Sequence, residues 1–109
     1  MPPRHDLLPG TLDVLVLKIL SAGSMHGYGI AQQLLRLSND ALRAEEGSLY
    51  PALQRMRQKG WIKAEWRQTP NNQRARFYTL TPAGRRHLGA ELTRFTDLIA
   101  ALTGVLGIA

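Results

Sequence analysis

Between Glu45 and Gly60 the chain reads EEGSLYPALQRMRQKG, and the groups there able to do chemistry are amides, hydroxyls and guanidiniums. Placed on a helix at about 100° per residue, Leu49, Leu53 and Met56 fall on one stripe, because spacings of four and three bring side chains into register. The opposite side carries Gly47, Pro51, Gln54 and Gln58, with Ser48 and Arg55 on one flank and Tyr50 and Arg57 on the other. These side chains look outward and are of the types that read nucleic acid. Amides pair with adenine and guanidiniums with guanine, so Gln54 and Arg55 are suited to reach base edges. A solvated face on an ordinary amphipathic surface helix has the same pattern, so the rest of the chain must decide between the two.

Charge decides first. The net charge of the 109 residues is +6, with a sequence pI near 10.5, which favours anionic partners. Residues 1–42 are balanced, with Arg4, Lys18 and Arg36 against Asp6, Asp13 and Asp40. Residues 43–78 set eight cations (Arg43, Arg55, Arg57, Lys59, Lys63, Arg67, Arg74 and Arg76) against Glu45, Glu46 and Glu65, so this segment holds +5 of the +6. The stretch read above lies inside it.

Other chemistry is poorly provided for. His5, His26 and His87 fall on different elements, no Ser, His and acid set stands at a recognisable motif, and no glycine-rich phosphate loop follows a strand. Catalysis is not expected. Zero cysteines remove disulfides, thiol nucleophiles and thiolate metal sites, and the few acids leave no metal site, so no cofactor is expected. A chain without cysteine sits comfortably in a reducing compartment. The most apolar run, Leu12 to Leu20, is broken by Asp13 and Lys18 and is too short to span a membrane. The first residues lack the order of a signal peptide.

The elements that must position the outward face follow from periodicity. A chain of this length supports one domain with one core. Met1 to Gly10, with three prolines, reads as an extended arm ending in a turn at Pro9 and Gly10; Arg4 and His5 could touch a phosphate, though a solvated terminus has the same composition. Thr11 as N-cap and apolar residues from Leu12 to Leu20 predict a first helix to about Ala22, ended by Gly23. Ile30, Leu34 and Leu37 predict a second helix from Gly27 or Tyr28, stopped by Ser38, Asn39 and Asp40. Gly27 and Gly29 at its start disfavour helix, so close packing or a phosphate at the helix end must explain them, and Tyr28 either packs or binds. Leu42 to Ala44 then reads as a short strand or link. After Gly60 the period becomes two: Ile62, Ala64 and Trp66 alternate with Lys63, Glu65 and Arg67, TPNNQ turns, and RARFYTL returns, giving a hairpin with Arg67, Arg74 and Arg76 beside its tip. Such a basic tip suits a phosphate or minor-groove contact.

Thr81 and Pro82 predict a helix start. Leu88, Leu92, Phe95, Ile99, Leu102 and Leu106 follow at spacings of 4, 3, 4, 3 and 4, the seam of a coiled coil. The helix is therefore expected to project and clasp its copy in another subunit, the alternative being that it folds back onto its own domain. The expected fold is therefore mainly α, in the α+β class. It is a winged helix-turn-helix whose third helix enters the major groove and whose hairpin is the wing, followed by a long C-terminal dimerisation helix. Residues 1–10 form the arm, 11–81 the DNA-binding domain and 82–109 the dimerisation helix.

Beyond this pattern the sequence resembles the PadR family of bacterial transcriptional regulators. The resemblance rests on LLPGTLDVLVLKIL (7–20), HGYGI (26–30), GSLYPAL (47–53), KGWI (59–62) and FYTLTPAG (77–84), in that order. It implies a cytoplasmic, homodimeric regulator of double-stranded DNA, usually a repressor acting near its own or neighbouring genes, of the short type with one C-terminal helix. It also implies DNA contacts at Tyr28, Ser48, Tyr50, Pro51, Arg74 and Arg76. The family's wing often carries glycine and proline next to its arginines, whereas TPNNQ and RAR stand here. Some relatives bind aromatic compounds at the dimer interface, so a small aromatic effector is a further expectation, with Phe95 the one aromatic on the last helix. A winged-helix module binding proteins without DNA is the alternative, and the +5 segment speaks against it.

Overall fold

A computed structural model describes residues 9–108. Four helices and a small sheet follow in the order α1 (Pro9–Leu20), β1 (Met25–His26), α2 (Gly27–Leu37), α3 (Glu46–Gln58), β2 (Ile62–Gln68), β3 (Arg74–Leu80) and α4 (Pro82–Leu106). The expected winged helix-turn-helix with a long last helix is what forms. The N-terminal contacts proposed for Arg4 and His5 lie outside the described residues.

Helix α1 is the hub, touching α2, α3, α4 and β3. Leu12, Val14, Val16, Leu17, Ile19 and Leu20 are all buried, so the helix is apolar nearly all round, as a helix enclosed by neighbours must be. It begins at Pro9, not after a turn at Pro9 and Gly10 as the three prolines suggested. Proline lacks only a donor that the first helical position does not need. Its last helical residue is Leu20, two residues before the expected end. In α2, Ile30 and Leu34 are buried but Leu37, assigned to the same stripe, is exposed. Asn39 and Asp40 then take left-handed conformations (φ 53° and 65°), which these short polar side chains tolerate better than most.

The sheet is antiparallel with strand order β1-β3-β2. Ile62 pairs with Leu80, Ala64 with Tyr78, Trp66 with Arg76 and Gln68 with Arg74, so the five-residue turn sets a register that puts these eight side chains on one face. Strand β1 pairs Met25 with Tyr78 and His26 with Phe77. Two residues are too few to show a period, so this strand is not legible from residue types alone. Leu42 to Ala44 is a link and not a strand.

Helix α3 ends at Gln58, with Lys59 as its C-cap and Gly60 left-handed (φ 77°). The Gly60 amide donates to the Arg57 carbonyl and the Trp61 amide to the Met56 carbonyl, both at 3.0 Å, the paired bonds of a Schellman stop. Thr81 caps α4, its hydroxyl accepting from the Gly84 amide at 3.0 Å and donating to the Gly60 carbonyl at 2.6 Å. A Cβ on Gly84 would sit 2.0 Å from the Trp61 carbonyl oxygen. Only glycine lets α4 cross the α3–β2 junction at this distance.

Candidate nucleic-acid interface

Leu49, Ala52, Leu53 and Met56 are buried and fix α3 on the core. The stripe expected to anchor it does so, with Ala52 completing it. The outward face is exposed as read from the sequence: Gly47, Ser48, Tyr50, Pro51, Gln54 and Gln58 all face solvent. Pro51 inside the helix donates no amide hydrogen, which leaves the Gly47 carbonyl on this face without its helical partner. The Gln54 amide oxygen accepts from Arg57 Nη1 at 3.0 Å, so one end of that amide is held and the other is free.

Arg55 does not join this face. Its Nη2 donates to Asp13 Oδ1 on α1 at 3.0 Å, with the arginine 43% and the aspartate 17% exposed. The reason is position: Arg55 shares the flank nearest α1, and a half-buried carboxylate there attracts the guanidinium. Burial pushes the Asp13 carboxyl above its ordinary range, and Arg55, Lys59 and His87 pull it back only in part.

On the other flank, Tyr50 lies over the start of α2. A Cβ on Gly27 would meet its hydroxyl at 3.2 Å and its ring at 3.3 Å, so the glycine is explained by helix packing. A Cβ on Gly29 would strike Met25 at 2.7 Å. His26 caps α2, its Nδ1 accepting from the Gly29 amide at 2.9 Å, and packs edge-on to Phe77. Tyr28 is 69% exposed, so its ring is not part of the core. Tyr28, Tyr50 and the wing-tip residues Thr69, Asn71, Gln73 and Arg74 line one groove of about 550 Å³. It runs between the wing and the two helix starts.

The wing's three arginines are not equivalent. Arg67 is on the outer face, over the Phe77 ring, and its Nε donates to Glu65 Oε1 at 2.7 Å. Arg74 and Arg76 are on the opposite face, their guanidinium carbons 5.4 and 6.0 Å from the Trp66 ring centroid. Neither has an acidic partner among the described residues. Trp66, 58% exposed, was read only as one of an alternating set; its place beside both arginines follows from the register of the five-residue turn. Burial raises the Tyr78 phenol behind them, against the pull of Arg76.

The seam assigned to dimerisation divides in two. Leu88 is 5% exposed and belongs to the core, and Phe95 packs half-buried against the same cluster, so Leu88 is withdrawn from the interface residues. Its turn of α4 is the one that crosses Trp61, where Gly84 brings the helix against the domain. Leu92, Ile99, Leu102 and Leu106 remain exposed, and Leu98, Val105 and Ile108 join them. No three His, Cys, Asp or Glu side chains gather as metal ligands among the described residues, and no helix among them is long and apolar enough to cross a membrane.

Solved structures share this arrangement. A PadR family transcription regulator from Clostridium difficile is 29% identical, covering 87% of this chain and 97% of its own, with a TM-score of 0.76. A transcriptional regulator from Clostridium thermocellum superposes with a TM-score of 0.82 over 92% of this chain and 97% of that one; at 22% identity the likeness is one of fold. An uncharacterised protein of Lysinibacillus sphaericus is 27% identical over 101 residues, 87% of this chain and 93% of that protein. The profile of the "Transcriptional regulator PadR-like family" matches residues 16–90, from the hub helix through the wing to the first turns of α4. The chain thus belongs to the PadR-like family, whose members regulate transcription by binding DNA and are not enzymes.

Proposed function

We propose that the protein is a repressor that works as a homodimer on an inverted-repeat operator in the cytoplasm. The observation that carries this reading is the pairing of two surfaces left exposed among the described residues: a polar and cationic face on α3 and the wing, and an apolar face on the distal half of α4. The first suits duplex DNA. Ser48, Tyr50, Pro51 and Gln54 would enter the major groove, Tyr28 would meet the backbone, and Arg74 and Arg76 would reach phosphates flanking it. The second suits a copy of itself, since Ile99, Leu102, Val105 and Leu106 on one 25-residue helix present the wide apolar stripe that helices bury against one another.

Residues 11–81 then supply DNA binding, and the exposed part of 82–109 supplies dimerisation. Two-fold pairing along α4 would place the two α3 helices on successive major grooves, about 34 Å apart. An aromatic effector would need a stacking partner on α4; Phe95 is half-buried in its own domain, so the proposal is confined to DNA. The test is sedimentation of the free protein together with a mobility shift on the DNA upstream of its own gene. A dimer that shifts this DNA at low salt supports the reading, and a monomer that shifts none of it refutes the reading.

A further inference from the structure

Trp66 is the largest exposed aromatic of the wing, and a ring of that size at a strand end normally either packs or binds. Here it does something more specific. It lies opposite Arg76 in the ladder and diagonal to Arg74, and both guanidiniums sit within 6.0 Å of its centroid. Tryptophan has the strongest cation-attracting face of the aromatic side chains, and arginine's planar, weakly hydrated head stacks on it without using its N–H edge. Arg76 is also constrained from within: its Nε is buried and has no hydrogen-bond partner, so the outer nitrogens carry its hydrogen-bonding. An unsupported arginine at a wing tip samples many rotamers and loses that freedom on binding. Two arginines gathered on one ring are ordered before DNA arrives.

We propose that Trp66 is the positioning residue of the wing, holding Arg74 and Arg76 as a pair whose N–H edges meet neighbouring phosphates of one strand. This rests on the DNA contact proposed above for those arginines. Trp66 itself carries no charge and adds no phosphate contact. Its influence runs through the two cations, which sets it apart from a residue that only stiffens the hairpin.

The test uses fluorescence anisotropy of a short fluorescein-labelled duplex of fixed arbitrary sequence, titrated with wild type, Trp66→Leu, Trp66→Tyr and Arg74→Ala/Arg76→Ala between about 50 and 200 mM salt. Trp66→Leu is expected to weaken binding about fivefold. It should also lower the slope of log affinity against log salt, by up to about 0.9 for each arginine it releases. Trp66→Tyr, which keeps a ring, should restore most of both. Adding Trp66→Leu to the double arginine variant should change nothing further. A Trp66→Leu protein with native circular dichroism and an unchanged slope overturns the proposal, as does a full loss added on top of the arginine variant. If wild type shows no salt-dependent binding at all, the DNA reading itself fails. If wild type binds and Arg74→Ala/Arg76→Ala does so equally well, the arginine assignment fails, and Trp66 with it.

Discussion

A guanidinium held by a carboxylate must give up that partner before it meets a phosphate, and this difference sorts the arginines of α3 and the wing. Arg67 is paired with Glu65 and Arg55 with Asp13, whereas Arg74 and Arg76 lie by the Trp66 ring with no acidic partner among the described residues. Arg74→Ala and Arg76→Ala are each expected to weaken binding to all sequences alike and to reduce the salt slope by about 0.9; a loss confined to one base pair of an operator would show a base contact in place of a phosphate contact. Arg55→Ala should act on stability, lowering it by about 1 kcal/mol in urea unfolding, with a much smaller effect on affinity than Arg74→Ala. The partner titrates in the opposite sense to most paired acids. Burial raises the folded pKa of Asp13 above 3.8, so its contribution is greatest below that value and is lost as pH rises through the folded pKa. Unfolding curves of wild type and Asp13→Asn across the acid range should show the difference moving against wild type as pH rises, then levelling. Charge density was legible in the sequence, because it needs only counting. Charge pairing was not: Arg55 and Asp13 are 42 residues apart, and only the docking of α3 on α1 brings them together.

At the scale of elements, periodicity located every helix and both long strands, because each carries a stripe that the core must bury. It did not reach what neighbours decide: the start of α1 at Pro9, the strand β1, and the point at which α4 crosses the domain. That crossing is set by Gly84, and glycine as a residue type does not announce which glycines are crowded. Gly84→Ala would place a methyl 2.0 Å from the Trp61 carbonyl oxygen, so the helix must shift; a loss of about 3 kcal/mol or more is expected in denaturant unfolding. Gly89 and Gly104 lie on the same helix with nothing near their missing Cβ atoms. Gly89→Ala should therefore stabilise the protein by about 0.5–1 kcal/mol through helix propensity alone. Equal effects at Gly84 and Gly89 would contradict the packing described for α4.

At the scale of the whole molecule, the longest dimension is 52 Å, and the apolar side chains on the distal turns of α4 have no cover among the described residues. The 4-3-4-3-4 spacing foretold a seam, but spacing alone does not divide a seam between a helix's own domain and a partner. Leu88 lies in the first, whereas Leu106, 66% exposed, is proposed for the second. Leu102→Glu, which places a charge at the centre of the proposed interface, should yield a folded monomer by light scattering and lower operator affinity by about tenfold or more. The central claim is that two copies of α3 and its wing, joined through α4, read DNA as a symmetric pair. Hydroxyl-radical footprinting on the DNA upstream of the gene tests it most directly: the account predicts two protected patches related by a two-fold axis, about 34 Å apart along the duplex, and a single patch without symmetry, or none at low salt, would contradict it.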